Sequence, residues 1–543
     1  MKNHDGNAAM TVPDNATDRV IRRQCELEDL RFFGLRRIKM NEWPEPTRQT
    51  FCGVAGTTFM FTAATRSRLP VEELTLQVTG GGLCFAVHPV QPVIYPEEAT
   101  LLPDVVAPAG PVDFAGNTTL TFLVKTAIPR DFPAGRLTVE IHAVSASHLP
   151  LKRRIDVTVV PAVAEAPWPA HTVFWPHWHA LCRYHGIAMW SEEFWAMADR
   201  YLAESAAGGA TGIMLSVKDD PFRYPLPKRY YHHHEKLCPI RWSKNGDGWS
   251  FDYSRYDRYI ELNFKHGINR EIECHSLLPC KCQAPALNYY DANGQYIEAE
   301  TTFDAPEYEA AWGAFLTDFM RHNRDKGWDK LLTLCPYDEP KDADTFNAVV
   351  RMARKYAPDI RITAAICAAD ALKSVGVLDI ATIHLEAGYD RGAVKALREK
   401  GVEIRWYNCM APAWGNTLFK CPLADAYRIS WITYANHFAG YLRWSLYDTV
   451  KDVFGNPGFN WPTGDMYLLY PGQDGPLASL RWEAYKAGWH DLRLAMTALQ
   501  SASGPRREHL LALIAEIGKD QAITLPADLG DWHEALCALL PNR

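Results

Sequence analysis

The chain has 543 residues, 47% of them hydrophobic, which is more apolar material than one core usually organises. Its 57 basic and 64 acidic residues leave a net charge of -7 without long single-sign runs, and this argues against nucleic acid or an anionic membrane surface as a partner. No stretch approaches the roughly 18 consecutive apolar residues of a membrane span, and the opening MKNHDGNAAMTVPDNATDRV lacks the apolar core of a signal peptide.

Residues 20 to 160 read as short β runs punctuated by Gly and Pro, among them TFMFTAAT, ELTLQVTGGG, LTFLVKT and RLTVEIHAV. Alternation in LTVEIHAV and RIDVTVV fits half-buried strands, so residues 1–160 are expected to form an N-terminal antiparallel β-sandwich. PAVAEAPWPAH, residues 161–171, has the composition of a linker. Beyond it, strands alternate with amphipathic helices. The strand candidates are HTVFWPHW, ATGIMLSVKDD, INREIECHSLL, KLLTLCPYDE, IRITAAI, LDIATIHLE, VEIRWYNCM and GYLRWSLYD. Eight such units predict an α/β fold, a (β/α)8 TIM-like barrel over residues 172–495, with a helical tail at 496–543. A doubly wound sheet is the alternative, but no Gly-rich phosphate fingerprint follows the first strand.

In a barrel of this kind reactive groups sit where strands end, which shortens the search. The strand ends offer Trp175, His177 and His179; Lys218, Asp219 and Asp220; His275; Tyr337, Asp338 and Glu339; Glu386; Tyr407; and Trp444, Tyr447 and Asp448. Asp338 and Glu339 stand out, because LLTLCPYDEP puts adjacent carboxylates where an apolar strand becomes a loop. Neighbouring side chains there diverge. One can protonate a leaving oxygen while the other, ionised, addresses a different part of the same sugar. The same residues before Pro340 would also suit a helix start, with Asp342 and Asp344 as rival caps. Trp175, His177, Lys218, His275, Tyr337, Glu386, Tyr407 and Trp444 are the substrate-binding candidates. Aromatics make up 12% of the chain, many in loop-like stretches such as HTVFWPHWHALCRYHGIAMW and IRWSKNGDGWSFDYSRYD. Flat rings of this kind can cover the apolar face of a pyranose, although core packing uses them as well.

His232–His234 and the group Cys274, His275, Cys280 and Cys282 supply zinc-type ligand atoms, but no second CxxC or HxxxH completes a set. No metal and no cofactor is therefore expected. The 13 cysteines have no regular disulfide spacing, which points to reduced thiols and a cytoplasmic protein.

GVEIRWYNCMAPAWGN, GYLRWSLYDT and GDMYLLYPGQDGPLASLRWEAYKAGWHDLRLAM, between residues 401 and 495, together with the upstream YDEP, resemble the catalytic domain of glycoside hydrolase family 123. The resemblance covers about residues 172–500. It implies a β-N-acetylgalactosaminidase that works by substrate assistance, the 2-acetamido oxygen of the sugar attacking the anomeric carbon. Asp338 would then orient the acetamido group, and Glu339 would act as general acid and then base. Tyr407 and Trp444 would wall the acetamido pocket, while Arg481 and Glu483 in SLRWEAYKAG belong to packing of the last helix. The substrate implied is an oligosaccharide or glycoconjugate, and a homo-oligomer is compatible with the sequence. A glycosidase or transglycosidase for a sugar without the acetamido group, and a non-catalytic carbohydrate-binding protein, are the alternatives; the intact Asp-Glu pair disfavours the latter.

Overall fold

A computed structural model describes residues 26–161, 166–219, 237–279, 285–340, 342–374, 377–386, 389–449, 452–457 and 461–541. The chain divides into two compact units, one of residues 1–92, 101–162 and 542–543, the other of residues 93–100 and 163–541.

The first unit is built from β1 (Asp29–Phe33), β2 (Thr50–Val54), β3 (Thr58–Ser67), β4 (Val71–Thr79), β5 (Ala86–Tyr95), β6 (Thr100–Val106), β7 (Val112–Phe114), β8 (Thr118–Ala127), β9 (Gly135–Val144) and β10 (Leu151–Val160). Two five-stranded sheets result, ordered β1-β3-β8-β5-β6 and β2-β10-β9-β4-β7. One apolar cluster draws on both, with Phe32, Phe61 and Phe122 from the first sheet and Phe51, Val139, Ile141 and Val157 from the second. The inward residues fall at alternate positions, Val139, Ile141 and Ala143 on β9 and Ile155, Val157 and Val159 on β10, as the two-residue period of a strand requires. One pair departs from the all-antiparallel expectation: β2 runs parallel to β10, with Phe51 beside Val157. Strands β3 to β9 all lie between these two in the sequence, so no hairpin dictates their direction.

The second unit contains β11 (His171–Phe174), β12 (Gly212–Ser216), the inserted hairpin β13 (Arg241–Asn245) and β14 (Gly248–Asp252), β15 (Glu271–His275), the inserted pair β16 (Ala286–Tyr290) and β17 (Tyr296–Glu300), and β18 (Leu332–Cys335). It continues with β19 (Arg361–Ile366), β20 (Ile380–His384), β21 (Glu403–Asn408), β22 (Gly440–Arg443), β23 (Leu469–Gly472) and β24 (Gly475–Ala478). Eight of these close a barrel in the order β11-β12-β15-β18-β19-β20-β21-β22. Every described neighbour pair is parallel, and β11 meets β22 from His171↔Gly440 to Phe174↔Arg443. Each of the eight sequence-predicted strand segments contains one barrel strand. A helix follows every barrel strand, but the one after β19, Ala369–Ser374, has only six residues. Among the described residues no helix is long and apolar enough to cross a membrane.

The stretch IRWSKNGDGWSFDYSRYD is not a loop, as expected from its composition, but the hairpin β13–β14 leading into the helix Ser254–Lys265. Asn245 pairs with Gly248, leaving a two-residue turn whose Gly246 has φ +58°, a backbone conformation that favours glycine at this place in a tight hairpin. Its aromatics serve the core: the Trp242 ring stacks on Phe315 at 4.4 Å and meets Trp312 at 4.9 Å. HTVFWPHWHALCRYHGIAMW likewise holds β11 and the helix Trp178–His185.

The helix Leu480–Ser501 runs on past residue 496 and packs along the helix Leu423–Ala435, and the helices Gly504–Ile517 and Gly530–Cys537 follow. Where the first two cross, a Cβ on Gly488 would overlap the carbonyl oxygen of Tyr427. Helix propensity favours Ala over Gly by about 1 kcal/mol, but forcing the helices apart costs roughly 1–3 kcal/mol. Gly488→Ala is therefore expected to lower the unfolding midpoint in urea, the reverse of the propensity effect alone.

Candidate active site

Because strand side chains alternate and layers in a barrel come from alternate strands, β11, β15 and β21 send corresponding residues inward. At their N-terminal ends these are His171, Glu271 and Arg405; towards the C-terminal ends they include Trp175, His275 and Tyr407. Val173, Trp175, Met214, Tyr407 and Leu442 form one buried cluster, against which Ala365 and Trp444 pack. The Trp175 ring lies 4.6 Å from that of His275, and His275 Nε2 donates to Glu273 Oε1 at 2.9 Å.

Asp338 and Glu339 follow β18 and are half-buried. Glu339 has φ +50°, the left-handed region, which costs a non-glycine residue on the order of 1–2 kcal/mol and is held only where surrounding structure overrides it. The rival reading of this pair as a helix start fails. The helix begins at Ala343, and its cap is Asp342, whose carboxylate accepts from the Asp344 amide at 3.0 Å. Pro340 precedes that cap.

Tyr407 Oη donates to Glu339 Oε1 at 3.1 Å. Burial, reinforced by the Glu339 and Asp338 carboxylates, pushes the phenol well above its ordinary range, so Tyr407 remains a donor at any working pH. Its ring meets His384 edge-on at 5.1 Å, and Cys409 Sγ lies 3.5 Å from His384 Nε2. Burial lowers the His384 imidazole, against the pull of Glu339 and Glu386, and pushes the Cys409 thiol up to about 12. Tyr407, His384 and Cys409 thus meet Glu339 as neutral groups, and Cys409 is no thiolate nucleophile. Trp444 Nε1 donates to Asp465 Oδ1 at 3.2 Å, and Arg443 Nη2 reaches the same oxygen at 3.2 Å. Burial raises Asp465 despite Arg443.

Of the sequence candidates, Asp338, Glu339, Tyr407, Trp175, His275 and Trp444 gather at this end of the barrel. His177 and Asp448 join a separate buried group with His179, next to Trp444. His177 Nε2 donates to the Trp444 carbonyl at 3.0 Å, its Nδ1 lies 3.7 Å from Asp448 Oδ2, and His179 Nε2 lies 3.4 Å from Asp448 Oδ1. Lys218 is buried, directs Nζ to the Ala286 carbonyl at 3.5 Å, and lines a cavity with Asp219, Arg241, Trp242, Tyr290 and Tyr296. Tyr337 is buried against Phe346 and donates to the Asp342 carbonyl at 3.0 Å, which makes it part of the helix start. Glu386 is exposed, and its amide donates to His384 Nδ1 at 3.3 Å. Tyr447 packs on Trp178 and Tyr201. Arg481 Nη1 donates to the carbonyls of Thr417, Gly464 and Tyr467, the packing role expected of it, and so braces the loop that carries Asp465. Lys486 pairs with Glu483 at 3.3 Å. Asp220, His232–His234, Cys280 and Cys282 lie outside the described residues.

Sequence reasoning missed His384, Cys409 and Asp465. The two-residue period places His384 and Cys409 in line with Glu386 and Tyr407 and would have found them; Asp465 sits in an irregular segment with no such signal. Loss of the Tyr407 hydroxyl removes a hydrogen bond to a charged group, worth about 1.5–3 kcal/mol. Tyr407→Phe should lower the melting temperature by a few degrees, and kcat/KM should fall by roughly tenfold or more.

The family model described as "Glycoside hydrolase 123, catalytic domain" matches residues 175–497. A solved structure of a family 123 glycoside hydrolase from Clostridium perfringens, described in terms of glycolipid glycan hydrolysis, is 19% identical with a TM-score of 0.77, over 94% of this chain and 97% of that one. A family 39 glycoside hydrolase from Bacteroides cellulosilyticus aligns at 11% identity and TM-score 0.36, over 84% and 83% of the two chains. No curated protein matches the sequence significantly.

Proposed function

The chain belongs to glycoside hydrolase family 123 and hydrolyses glycosidic bonds, and from that premise we propose that it is a retaining, substrate-assisted β-N-acetylhexosaminidase of the GalNAc type. The observation that carries this reading is the Asp338–Glu339 pair: adjacent carboxyls at a strand end, outside the helix cap, with Glu339 held by the neutral Tyr407 phenol. In this mechanism the protein supplies no nucleophile. The sugar's acetamido oxygen attacks the anomeric carbon, the C1–O bond to the aglycone breaks, and Glu339 protonates the departing oxygen. Asp338 accepts from the acetamido N–H and stabilises the positive charge of the oxazolinium that forms. Water activated by Glu339, now a base, then opens the ring with net retention. Two carboxylates in adjacent positions suit this scheme, whereas a protein nucleophile and acid would stand on opposite faces of the sugar. Trp175, Tyr407 and Trp444 offer aromatic surface for the pyranose and its acetamido methyl. A glycolipid glycan, the substrate class named for the Clostridium perfringens enzyme, is the glycoconjugate to try first.

A thiazoline analogue of the bicyclic intermediate is the direct test. It should inhibit at concentrations far below the KM of the parent glycoside, as a transition-state-like ligand does. Turnover of nitrophenyl β-galactoside comparable to that of nitrophenyl β-N-acetylgalactosaminide, with no inhibition by the thiazoline, would exclude the assignment and favour a glycosidase for sugars lacking the acetamido group.

A further inference from the structure

We propose that His177, His179 and Asp448 bind one divalent cation of the zinc class, at the seam where the barrel closes. His177 and His179 follow β11, Asp448 follows β22, and these two strands are hydrogen-bonded neighbours although their residues stand far apart in sequence. One ligand atom from each of the three residues lies within 4.8 Å of the others. Their exposures are 3%, 5% and 2%.

Two features distinguish the group from an ordinary buried ion pair. First, a carbonyl oxygen can only accept, so the contact of His177 Nε2 with the Trp444 carbonyl puts the ring proton on Nε2. Metal-bound histidines make such a bond with the ring nitrogen that faces away from the ion, and it fixes their tautomer and orientation. Here it directs Nδ1 to the side where Asp448 lies. The Nδ1–Oδ2 separation of 3.7 Å is too long for a hydrogen bond of about 2.7–3.2 Å. Bonds of about 2.0–2.2 Å to one tetrahedral zinc would separate ligand atoms by about 3.3–3.6 Å, and each imidazole stands near that spacing from one Asp448 oxygen, His177 Nδ1 at 3.7 Å from Oδ2 and His179 Nε2 at 3.4 Å from Oδ1. Second, Asp448 Oδ2 is buried and accepts no hydrogen bond among the described residues. A buried oxygen that accepts no hydrogen bond has a lone pair free for a metal ion. Two imidazoles and one carboxylate suit zinc-like ions, whereas calcium and magnesium select all-oxygen shells.

The ion would act on structure and take no part in bond cleavage. The His177 ring lies 6.0 Å from the Trp175 ring and 5.8 Å from the Trp444 ring, so clamping the segments after β11 and β22 fixes two aromatic walls of the neighbouring site. Spacing along the chain gives no hint of this set, which is why the sequence led to an expectation of no metal.

The test uses full-length protein without a polyhistidine tag, equilibrated with zinc chloride and desalted. Elemental analysis should find one zinc per chain, and Asp448→Asn and His179→Gln should each lose it. X-ray absorption at the zinc edge of the wild-type protein should show only nitrogen and oxygen ligands near about 2.0 Å with two imidazoles; a sulfur shell near about 2.3 Å would assign the ion to cysteines and overturn the proposal. Retention of zinc when His232, His233 and His234 are all changed to Ala supports it, and loss there overturns it. Folded wild-type protein that retains no zinc overturns it outright. The absorption measurement needs no variant, so a sulfur shell overturns the proposal even if the substituted chains fail to fold.

Discussion

Glu339→Gln will cut cleavage of natural glycans by about a hundred- to ten-thousandfold, the usual loss on removing a general acid, while sparing much of the activity towards nitrophenyl glycosides. A sugar alkoxide is too basic to depart without a proton, whereas nitrophenolate needs little help. The Gln side chain preserves the shape of the site and can still accept the Tyr407 hydrogen bond, so the change isolates the proton. Asp338→Asn is expected to behave differently. It should slow both substrate classes, because closing the oxazoline ring accompanies the departure of every leaving group. The check is a plot of log kcat/KM against leaving-group pKa for wild type and both variants. Glu339→Gln should steepen the slope, and Asp338→Asn should displace the line with the slope unchanged. Equal losses across all leaving groups in Glu339→Gln would remove Glu339 from the role of proton donor.

The second large effect is expected at the opposite end of the barrel interior. Arg405 donates to both oxygens of Glu271, at 3.0 and 2.5 Å, and to Glu403 at 2.7 Å; Thr333 adds a bond to Glu271 at 3.0 Å. Burial alone would raise the Glu271 carboxyl, but the Arg405 guanidinium outweighs it and holds the group down at about 2. Glu271→Gln keeps the volume and leaves the guanidinium short of its main counter-charge, a change that costs about 3–5 kcal/mol. The same loss should be largely recovered when Arg405→Met is added, because replacing both charges of a buried pair is far milder than removing one.

The cluster also sets the response to acid. Burial, aided by Arg405, lowers His171 to about 4, against about 6.5 in an unfolded chain. The unfolded state therefore takes up the His171 proton first, and this contribution to stability fades as pH falls from about 6.5 towards 4. Glu271 is depressed from an unfolded value of about 4.3, so its contribution is complete above that value and is lost between about 4.3 and 2. Urea midpoints measured across this range should decline in both windows. In Glu271→Gln the lower window should flatten. A wild-type midpoint constant from pH 6.5 to 4 would contradict the His171 assignment.

Hydrophobic period and punctuation made much of the architecture legible. A run such as GIMLS, buried along its whole length, reads as near-continuously apolar because helices cover one face and the barrel interior the other. The β runs before residue 160 read as alternating because one face of each sheet meets solvent. YDEP marked the carboxylate pair for a similarly local reason, since two adjacent charges within a strand would face both of its sides, one of them the apolar layer under the helices. What lay beyond the sequence were relations between residues distant along the chain. Whether Asp338 and Glu339 capped a helix depended on where the helix began, and Asp342 decided it. Tyr337 and Lys218 stood at strand ends like the other candidates, yet the first turned to the helix start and the second to a cavity under the inserted strands. The pairings Glu339 with Tyr407, Glu271 with Arg405 and His177 with Asp448 join different strands of a closed ring. Closure, which follows from the register of eight strands and from no one segment, decides which inward-facing side chains meet across the interior.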